Sequence, residues 1–289
     1  MKQRIVYIAI LLLWITLVRS QSFSGGFKAG YNINYWEGPS IVNANGEELE
    51  SFNTANGFHV GAILNFEIVD YFGLRSYVLF TQRGGNIQFD SEDSYLIMRD
   101  VESDERQVAR GSKRISLTLS NSYVEIPLML YGKYGKFEIT FGPSLGILVA
   151  STANGSINFD GDYRREPVEL RSNIDHQYYR DDAREGERPI VINTGLERVQ
   201  FPETHLAYFE FDEKEESLYT VVNFGLMGEF NFFFNKGLFV GVGYYYGFND
   251  ITNSSMDADW QELDGDNQLI LRDDEDTLAA LQLSVGFRF

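Results

Sequence analysis

Residues 249–277 form a segment in which carboxylates crowd together. The segment holds ten acids and one base, and Asp257, Asp259, Asp264 and Asp266 fall within ten residues around a glycine. Ca²⁺ binds about six to eight oxygen ligands, so this composition suits it, although the spacing does not match the twelve-residue loop of an EF-hand. We expect a candidate Ca²⁺ site here, and the alternative is a solvated acidic loop.

A second constellation consists of charged side chains that share the polar face of the alternating strands described below. Its members are Lys28, Arg75, Arg83 and Arg288, together with Glu67, Glu125, Glu138 and Glu229. Inside a small closed barrel these side chains must pair, because an unpaired buried charge costs several kcal/mol. We expect a salt-bridged plug, and the alternative is a path for protons or solutes.

The three histidines give little support for catalysis. His59 lies on the polar face of a strand and is expected to pack inside, whereas His176 and His205 lie among acids in residues 152–217. Asp175 precedes His176, which leaves a rim hydrolase as an alternative, but no serine nucleophile signature accompanies the pair. With no cysteine in the chain, a thiol nucleophile, a thiolate metal site and a disulfide framework are excluded. We therefore expect a non-enzymatic protein without a cofactor other than Ca²⁺.

The elements that position these residues are predicted to be β-strands, because apolar and polar residues alternate along them. Eight stretches show this pattern: residues 23–35, 57–68, 72–83, 122–131, 137–150, 218–230, 238–248 and 281–289. A chain rich in aromatics and glycine with such alternation is typical of an outer-membrane barrel. We predict an all-β fold, namely a transmembrane, antiparallel, up-and-down barrel of eight strands.

The connections between these stretches alternate between short and long. The short ones contain turn residues, and the long ones are residues 36–56, 84–116, 152–217 and 249–277. In outer-membrane barrels the short turns lie in the periplasm and the long loops outside the cell. The long segments together carry a charge of −23, which exceeds the net charge of −18 of the whole chain, and this acidity excludes nucleic acid as a partner.

Large aromatic residues gather near the short turns, as in the girdle of a membrane barrel. They include Phe72, Tyr134, Phe137 and Phe234, and the chain stops on an aromatic residue, Phe289. A soluble β-sandwich also alternates but buries its apolar face, so it is the less favoured architecture. The expected partners are outer-membrane lipid and, because of the aromatic end, the barrel-insertion machinery.

Residues 1–20 have the pattern of a secretory signal peptide. Lys2 and Arg4 precede an apolar run over residues 5–17, and cleavage after Ser20 would leave Gln21 first. A transmembrane helix is the alternative, but it needs roughly 20 apolar residues. We predict an exported protein of the outer membrane whose barrel domain covers residues 21–289.

Four sequence blocks resemble the PorT-like outer-membrane β-barrel family, a group of small barrels of Gram-negative bacteria. The blocks are YVEIPLMLY at 123–131, FGPSLG at 141–146, GFKAGYN at 26–32 and GLFVGVGYYYG at 237–247. The resemblance implies a compact outer-membrane barrel and, from the founding member, an accessory role in type IX secretion. It covers most of the predicted strands and none of the long segments.

Residues 152–217 are too many for bare coil in a compact protein. Residues 189–193 and 204–211 look like strands, so we predict a hairpin that extends the barrel wall, and a ten-stranded barrel is the alternative topology. For function we expect a plugged barrel with a structural role or a role in secretion or assembly, with other envelope proteins as partners. The alternative is a surface module that binds protein, glycan or Ca²⁺ through the acidic segments, and a pore is disfavoured by the filled interior.

Overall fold

The computed structural model describes residues 22–193 and 198–289, and these residues confirm the predicted all-β class. No helix in the described residues is long and apolar enough to cross a membrane. The predicted signal peptide, residues 1–20, lies outside the described residues. Alternation of apolar and polar residues is the reason for the strands, since it gives each strand two chemically different faces.

The described residues form fifteen strands. Their bounds are β1 (Ser22–Glu37), β2 (Glu50–Asn53), β3 (Ala55–Val69), β4 (Phe72–Arg83), β5 (Asn86–Asp100), β6 (Arg106–Tyr134), β7 (Phe137–Tyr163), β8 (Glu166–Gln177), β9 (Gly186–Asn193), β10 (Arg198–His205), β11 (Val222–Phe233), β12 (Leu238–Gly247), β13 (Ala258–Leu263), β14 (Leu269–Leu271) and β15 (Thr277–Arg288).

Eight of these strands pair in a circuit, which we call the lower ring. Its order is β1, β3, β4, β6, β7, β11, β12 and β15, every neighbouring pair is antiparallel, and β15 returns to β1. The first and last strands meet in a register that sets Phe27 opposite Phe287. Each predicted stretch lies largely within one of these eight strands.

Two of the predicted loops are largely β-structure, so the loop prediction was wrong for them. Residues 84–116 contain β5 and the first part of β6, and residues 152–217 contain the end of β7 followed by β8, β9 and β10. The predicted hairpin is present, since β9 and β10 pair antiparallel, but residues 206–211 are not strand, and Tyr208 among them makes an isolated bridge to Ala183. The other two long segments hold the short strands β2, β13 and β14.

A second circuit, which we call the upper ring, is formed by β5, β6, β7, β8 and β10. The pairings are antiparallel except for β8 with β10, which are parallel over Asn173 and Ile174. The strands β6 and β7 are 29 and 27 residues long and belong to both rings. The upper ring is therefore a direct continuation of the lower one.

The two faces of β6 exchange their chemistry between the rings. In the lower ring Ile126 and Leu128 point outwards and are exposed, while Glu125 points inwards and is buried. In the upper ring Leu117 points inwards into an apolar core, and the exposed Ser116 lies on the outer face. Apolar surface is stable outside only where water is absent, so the lower ring has the faces of a membrane barrel and the upper ring those of a water-soluble one.

A β-bulge on β7 marks the boundary between the rings. Ser122 pairs with Ala150 and Tyr123 pairs with Leu148, which leaves Val149 as the extra residue. A one-residue shift moves side chains to the opposite face of a strand. Even-numbered residues such as Ser144 therefore face inwards below the bulge, and odd-numbered ones face inwards above it.

Candidate functional site

The interior of the lower ring holds a set of buried ion pairs. They are Lys28 with Glu229, Arg75 with Glu138 at 2.5 Å, Arg83 with Glu125 at 2.5 Å, and Arg288 with Glu138 at 2.9 Å. All seven side chains except Arg288 are almost completely withdrawn from solvent. The structure therefore brings together seven of the eight charged residues that the alternation along the strands predicted to lie inside.

Neutral side chains complete the contacts of these charges. The Tyr77 hydroxyl donates to Glu229 at 2.7 Å, and the Ser144 hydroxyl donates to Glu125 at 2.5 Å. The Arg83 guanidinium lies 3.5 Å from the centroid of the Tyr245 ring. Buried charges need such partners because water no longer solvates them.

Glu67 is the member of the predicted cluster that lies apart. Its side chain is half-buried at the short-turn end, where it accepts a hydrogen bond from the Lys133 ammonium at 2.9 Å. Lys133 was not part of the predicted cluster because it falls in a stretch with turn residues, although β6 continues through it as far as Tyr134.

The predicted Ca²⁺ ligands do not converge on one point. Asp259 accepts hydrogen bonds from the backbone of Gln261, and Asp264 accepts one from the backbone of Asp266, so both stabilise turns. The described residues contain instead a different acidic group, Asp257 with Asp274 and Asp276, whose carboxylate oxygens lie within 4.8 Å of one another. Asp274 and Asp276 belong to the same acidic segment as Asp257 but follow β14, so the spacing of neighbouring acids does not reveal them.

Arg272 lies against this acidic group, which we call the carboxylate triad. Its guanidinium is 2.5 Å from Asp274, 3.3 Å from Glu50 and 4.0 Å from Asp257. Burial raises the pKa of Asp257 to about 8 and that of Asp276 to about 6, because Arg272 compensates only part of the lost hydration. Both shifts favour the protonated, neutral form of these carboxyl groups.

The two histidines of residues 152–217 meet in the upper ring. His176 Nε2 lies 3.2 Å from His205 Nδ1, and His176 Nδ1 lies 3.1 Å from the Tyr178 hydroxyl. Burial lowers the pKa of both imidazoles. Asp175 points to the exposed face of β8, and both ring nitrogens of His176 have other partners, so the pair of Asp175 with His176 does not form.

The family model of the outer membrane protein beta-barrel domain matches residues 19–253. The chain belongs to the outer membrane protein beta-barrel domain family. No curated protein shows significant similarity to it in sequence. As a member of this family it is an outer-membrane β-barrel protein, which explains why the lower ring exposes apolar side chains.

Several solved outer-membrane proteins are similar to this family member, with low sequence identity. The attachment invasion locus protein Ail of Yersinia pestis is 10% identical, with 93% of this chain and 99% of that chain covered and a TM-score of 0.34. The outer membrane protein OprG of Pseudomonas aeruginosa is 10% identical, with 93% and 97% covered and a TM-score of 0.35. Neisserial surface protein A is 9% identical, with 92% and 98% covered and a TM-score of 0.30. Likenesses at this level carry no argument about the activity of the present chain.

The upper ring of this beta-barrel family member also carries a polar cleft of about 1,090 Å³. Glu92, Asp93, Asp160 and Glu262 lie along it, and Lys113 lies at its inner edge. The Lys113 ammonium is buried 4.0 Å from the centroid of the Tyr95 ring, and burial lowers its pKa to about 8. The sequence signal for Lys113 is its position among the residues of β6 that alternate inwards. This signal was missed because residues 84–116 were predicted to be a loop.

Proposed function

We propose that this protein is a non-enzymatic outer-membrane barrel with a closed interior, which anchors a folded β-domain at the cell surface. The observation that carries the proposal is that β6 and β7 run without a break through both rings. Their apolar side chains lie on the outer face below the bulge and on the inner face above it. A shared pair of strands gives a rigid connection, whereas a flexible linker would not.

The lower ring is proposed to be the eight-stranded membrane-spanning unit. On β7 the outward residues from Phe137 to Val149 are apolar, which fits the roughly 9–11 residues that a tilted strand needs to cross hydrocarbon. In this orientation the short turns face the periplasm. We also propose that the protein is exported by a signal peptide over residues 1–20, which is then cleaved. Within its family we propose that the protein is related to the PorT-like members.

The buried ion pairs support the closed interior. Lys28, Arg75 and Arg83 each contact a carboxylate inside the lower ring, and aromatic rings such as that of Tyr245 fill the space between them. An open ion path needs hydrated side chains that bind an ion weakly, and these charges are already engaged.

Planar-bilayer recording tests this closed interior. The purified protein should give no steady conductance. The double variant Arg83→Met/Glu125→Gln, which keeps most of the side-chain volume and removes the charge pair, should also remain closed, because packing and not charge blocks the path. Steady open conductance of the unaltered protein would contradict the proposal.

A surface-binding role is the second candidate function, and the polar cleft favours it over a purely structural or secretion-associated barrel. A barrel that acts only within the membrane needs no second core, yet the upper ring has one that includes Phe89, Leu117 and Phe159. Glu92 and Glu262, which line the cleft, make no ion pair within the described residues. We propose that the cleft binds a cationic ligand such as a basic peptide segment.

Binding to a lysine-rich peptide, followed by a change in fluorescence anisotropy, tests the second function. The variant Glu92→Gln/Glu262→Gln should bind more weakly than the unaltered protein, since the two free carboxylates are removed from the cleft. The matched control is Asp175→Asn/Asp182→Asn, which removes two exposed acids that do not line the cleft. Equal weakening in both variants would indicate attraction by net charge alone and would reject a dedicated site.

A divalent cation at the carboxylate triad is a related proposal. Asp257, Asp274 and Asp276 replace the predicted set of Asp257, Asp259, Asp264 and Asp266, because among residues 22–193 and 198–289 the triad is the acidic group whose oxygen atoms come together. Ca²⁺ is the cation that such carboxylate oxygens favour outside the cell.

A further inference from the structure

The short-turn end of the lower ring carries a pocket whose charge is opposite to that of the rest of the protein. The pocket has a volume of about 380 Å³ and lies between the β6–β7 turn and the β11–β12 turn. Its basic lining residues are Lys133, Lys136, Lys236 and Arg288. The chain as a whole has a net charge of −18, so a basic pocket needs a specific explanation.

Two of the four basic groups are already paired with carboxylates. Lys133 contacts Glu67 at 2.9 Å, and Arg288 contacts Glu138 at 2.9 Å. In the part of the chain that the structure describes, Lys136 and Lys236 make no ion pair, and the ammonium of Lys136 has only the Phe232 ring nearby, at 5.9 Å from its centroid. The pocket therefore presents two uncompensated positive charges.

The backbone on both sides of the pocket is held by hydrogen bonds. Phe233 N–H donates to the carbonyl oxygen of Lys136 at 2.8 Å, which joins the two turns. The side chain of Asn235 accepts hydrogen bonds from the backbone N–H groups of Gly237 at 2.9 Å and Leu238 at 2.7 Å. Lys136 and Lys236 thus extend from fixed points, which lowers the entropy cost of gathering them on one anion.

Exposed aromatic rings place this pocket at the edge of the hydrocarbon. Phe137 and Phe234 line the pocket, and both are about half exposed on the outer surface of the lower ring. Aromatic rings of this kind lie at the level of lipid headgroups, and lysine side chains extend from there towards phosphates. A ligand in the pocket can therefore place a charged group on the lysines and hydrocarbon against the rings.

We propose that this pocket binds the phosphate of a glycerophospholipid headgroup in the leaflet that the short turns face, and that Lys136 and Lys236 are its direct ligands. Charge complementarity selects an anion, and the adjoining lipid-facing rings select one that carries acyl chains. The proposal uses the membrane assignment of the lower ring made above. It does not depend on a closed interior or on any ligand of the upper ring.

Native mass spectrometry of the full-length protein in detergent tests this site. The protein is incubated with dioleoyl phosphatidylglycerol, with dioleoylglycerol, which lacks the phosphate, or with inorganic phosphate. The phosphatidylglycerol adduct should predominate, and the double variant Lys136→Gln/Lys236→Gln should retain about 30-fold less of it, as expected for two lysines at a lipid surface. Retention of inorganic phosphate at the same level as the lipid would identify free phosphate as the ligand and overturn the lipid assignment.

The matched control is Arg110→Gln/Arg171→Gln, which removes the same charge from the exposed face of the upper ring. It should retain the lipid as the unaltered protein does. Equal retention by the Lys136→Gln/Lys236→Gln variant would overturn the proposal, as would equal binding of dioleoylglycerol. Gel mobility before and after boiling reports whether the variant barrel is folded. The lipid measurement is made in detergent and does not depend on how the barrel sits in the membrane. Loss of lipid binding is therefore distinguishable from an incorrect membrane topology.

Discussion

Arg83 and Glu125 lie 2.5 Å apart inside the lower ring, on adjacent strands, and neither side chain is exposed. Removing one partner leaves the other as an unpaired buried charge, which costs about 3–5 kcal/mol. We therefore expect Glu125→Gln to lower the temperature at which the folded band converts to the unfolded band on a gel. A closed barrel should migrate differently before and after boiling, because all its strands are paired.

The control for this variant is Glu169→Gln, which alters an exposed pair with Arg171. Surface pairs of this kind contribute at most about 1 kcal/mol, so its conversion temperature should be close to that of the unaltered protein. Equal conversion temperatures for all three proteins would show that the interior pair does not stabilise the barrel.

The paired imidazoles of His176 and His205 predict that the upper ring is sensitive to acid. Burial lowers the pKa of both below the ordinary value of 6.5, so the unfolded chain binds protons more readily than the folded one. Stability from this pair is therefore present above pH 6.5 and decreases as the pH falls below it. The fluorescence of Trp260, which packs against the upper core, should report the loss.

The variant His176→Phe isolates this effect from other titrating groups. The raised pKa values of Asp257 and Asp276 act in the opposite direction, so the difference between the variant and the unaltered protein is the quantity to measure. The variant should be less sensitive to acid than the unaltered protein. An identical pH dependence would remove the imidazole pair from the explanation.

The carboxylate triad predicts that Ca²⁺ protects residues 249–277 from protease. Millimolar Ca²⁺ should slow cleavage by bridging Asp257, Asp274 and Asp276, whereas NaCl of equal ionic strength screens charge without coordinating and should do less. Asp276→Asn should abolish the protection, and Asp264→Asn, which alters only a turn, should keep it. Cleavage at the same rate with Ca²⁺, with NaCl and with chelator would reject the site.

The sequence predicts the lower ring well because its outward residues are apolar and its inward residues polar, an alternation that is visible without tertiary information. Parity along the strands also placed Lys28 and Glu229 inside, although only the closure of the ring determines that they pair. The upper ring was assigned to loops because the many charged residues of 84–116 and 152–217 indicated solvated segments, although buried residues such as Leu117 and exposed ones such as Ser116 alternate there in the same way.

The carboxylate triad illustrates a different limit. Asp257 was selected for its neighbours in sequence, whereas its neighbours in space are Asp274 and Asp276. The turn between β13 and β14 decides this outcome, because it directs Asp264 towards the backbone of its own turn. Local spacing cannot predict a site that a turn of this kind assembles.

Accessibility of single cysteines on intact cells tests the central claim most directly, because the chain has no cysteine of its own. Ser116→Cys lies on the outer face of the upper ring, Leu128→Cys on the apolar face of the lower ring and Lys236→Cys in a short turn. A membrane-impermeant maleimide should label Ser116→Cys on intact cells, Lys236→Cys only after the cells are opened, and Leu128→Cys only after denaturation. Labelling of Leu128→Cys in the folded protein, or of Lys236→Cys on intact cells, would contradict a membrane-embedded lower ring that presents the upper ring at the surface.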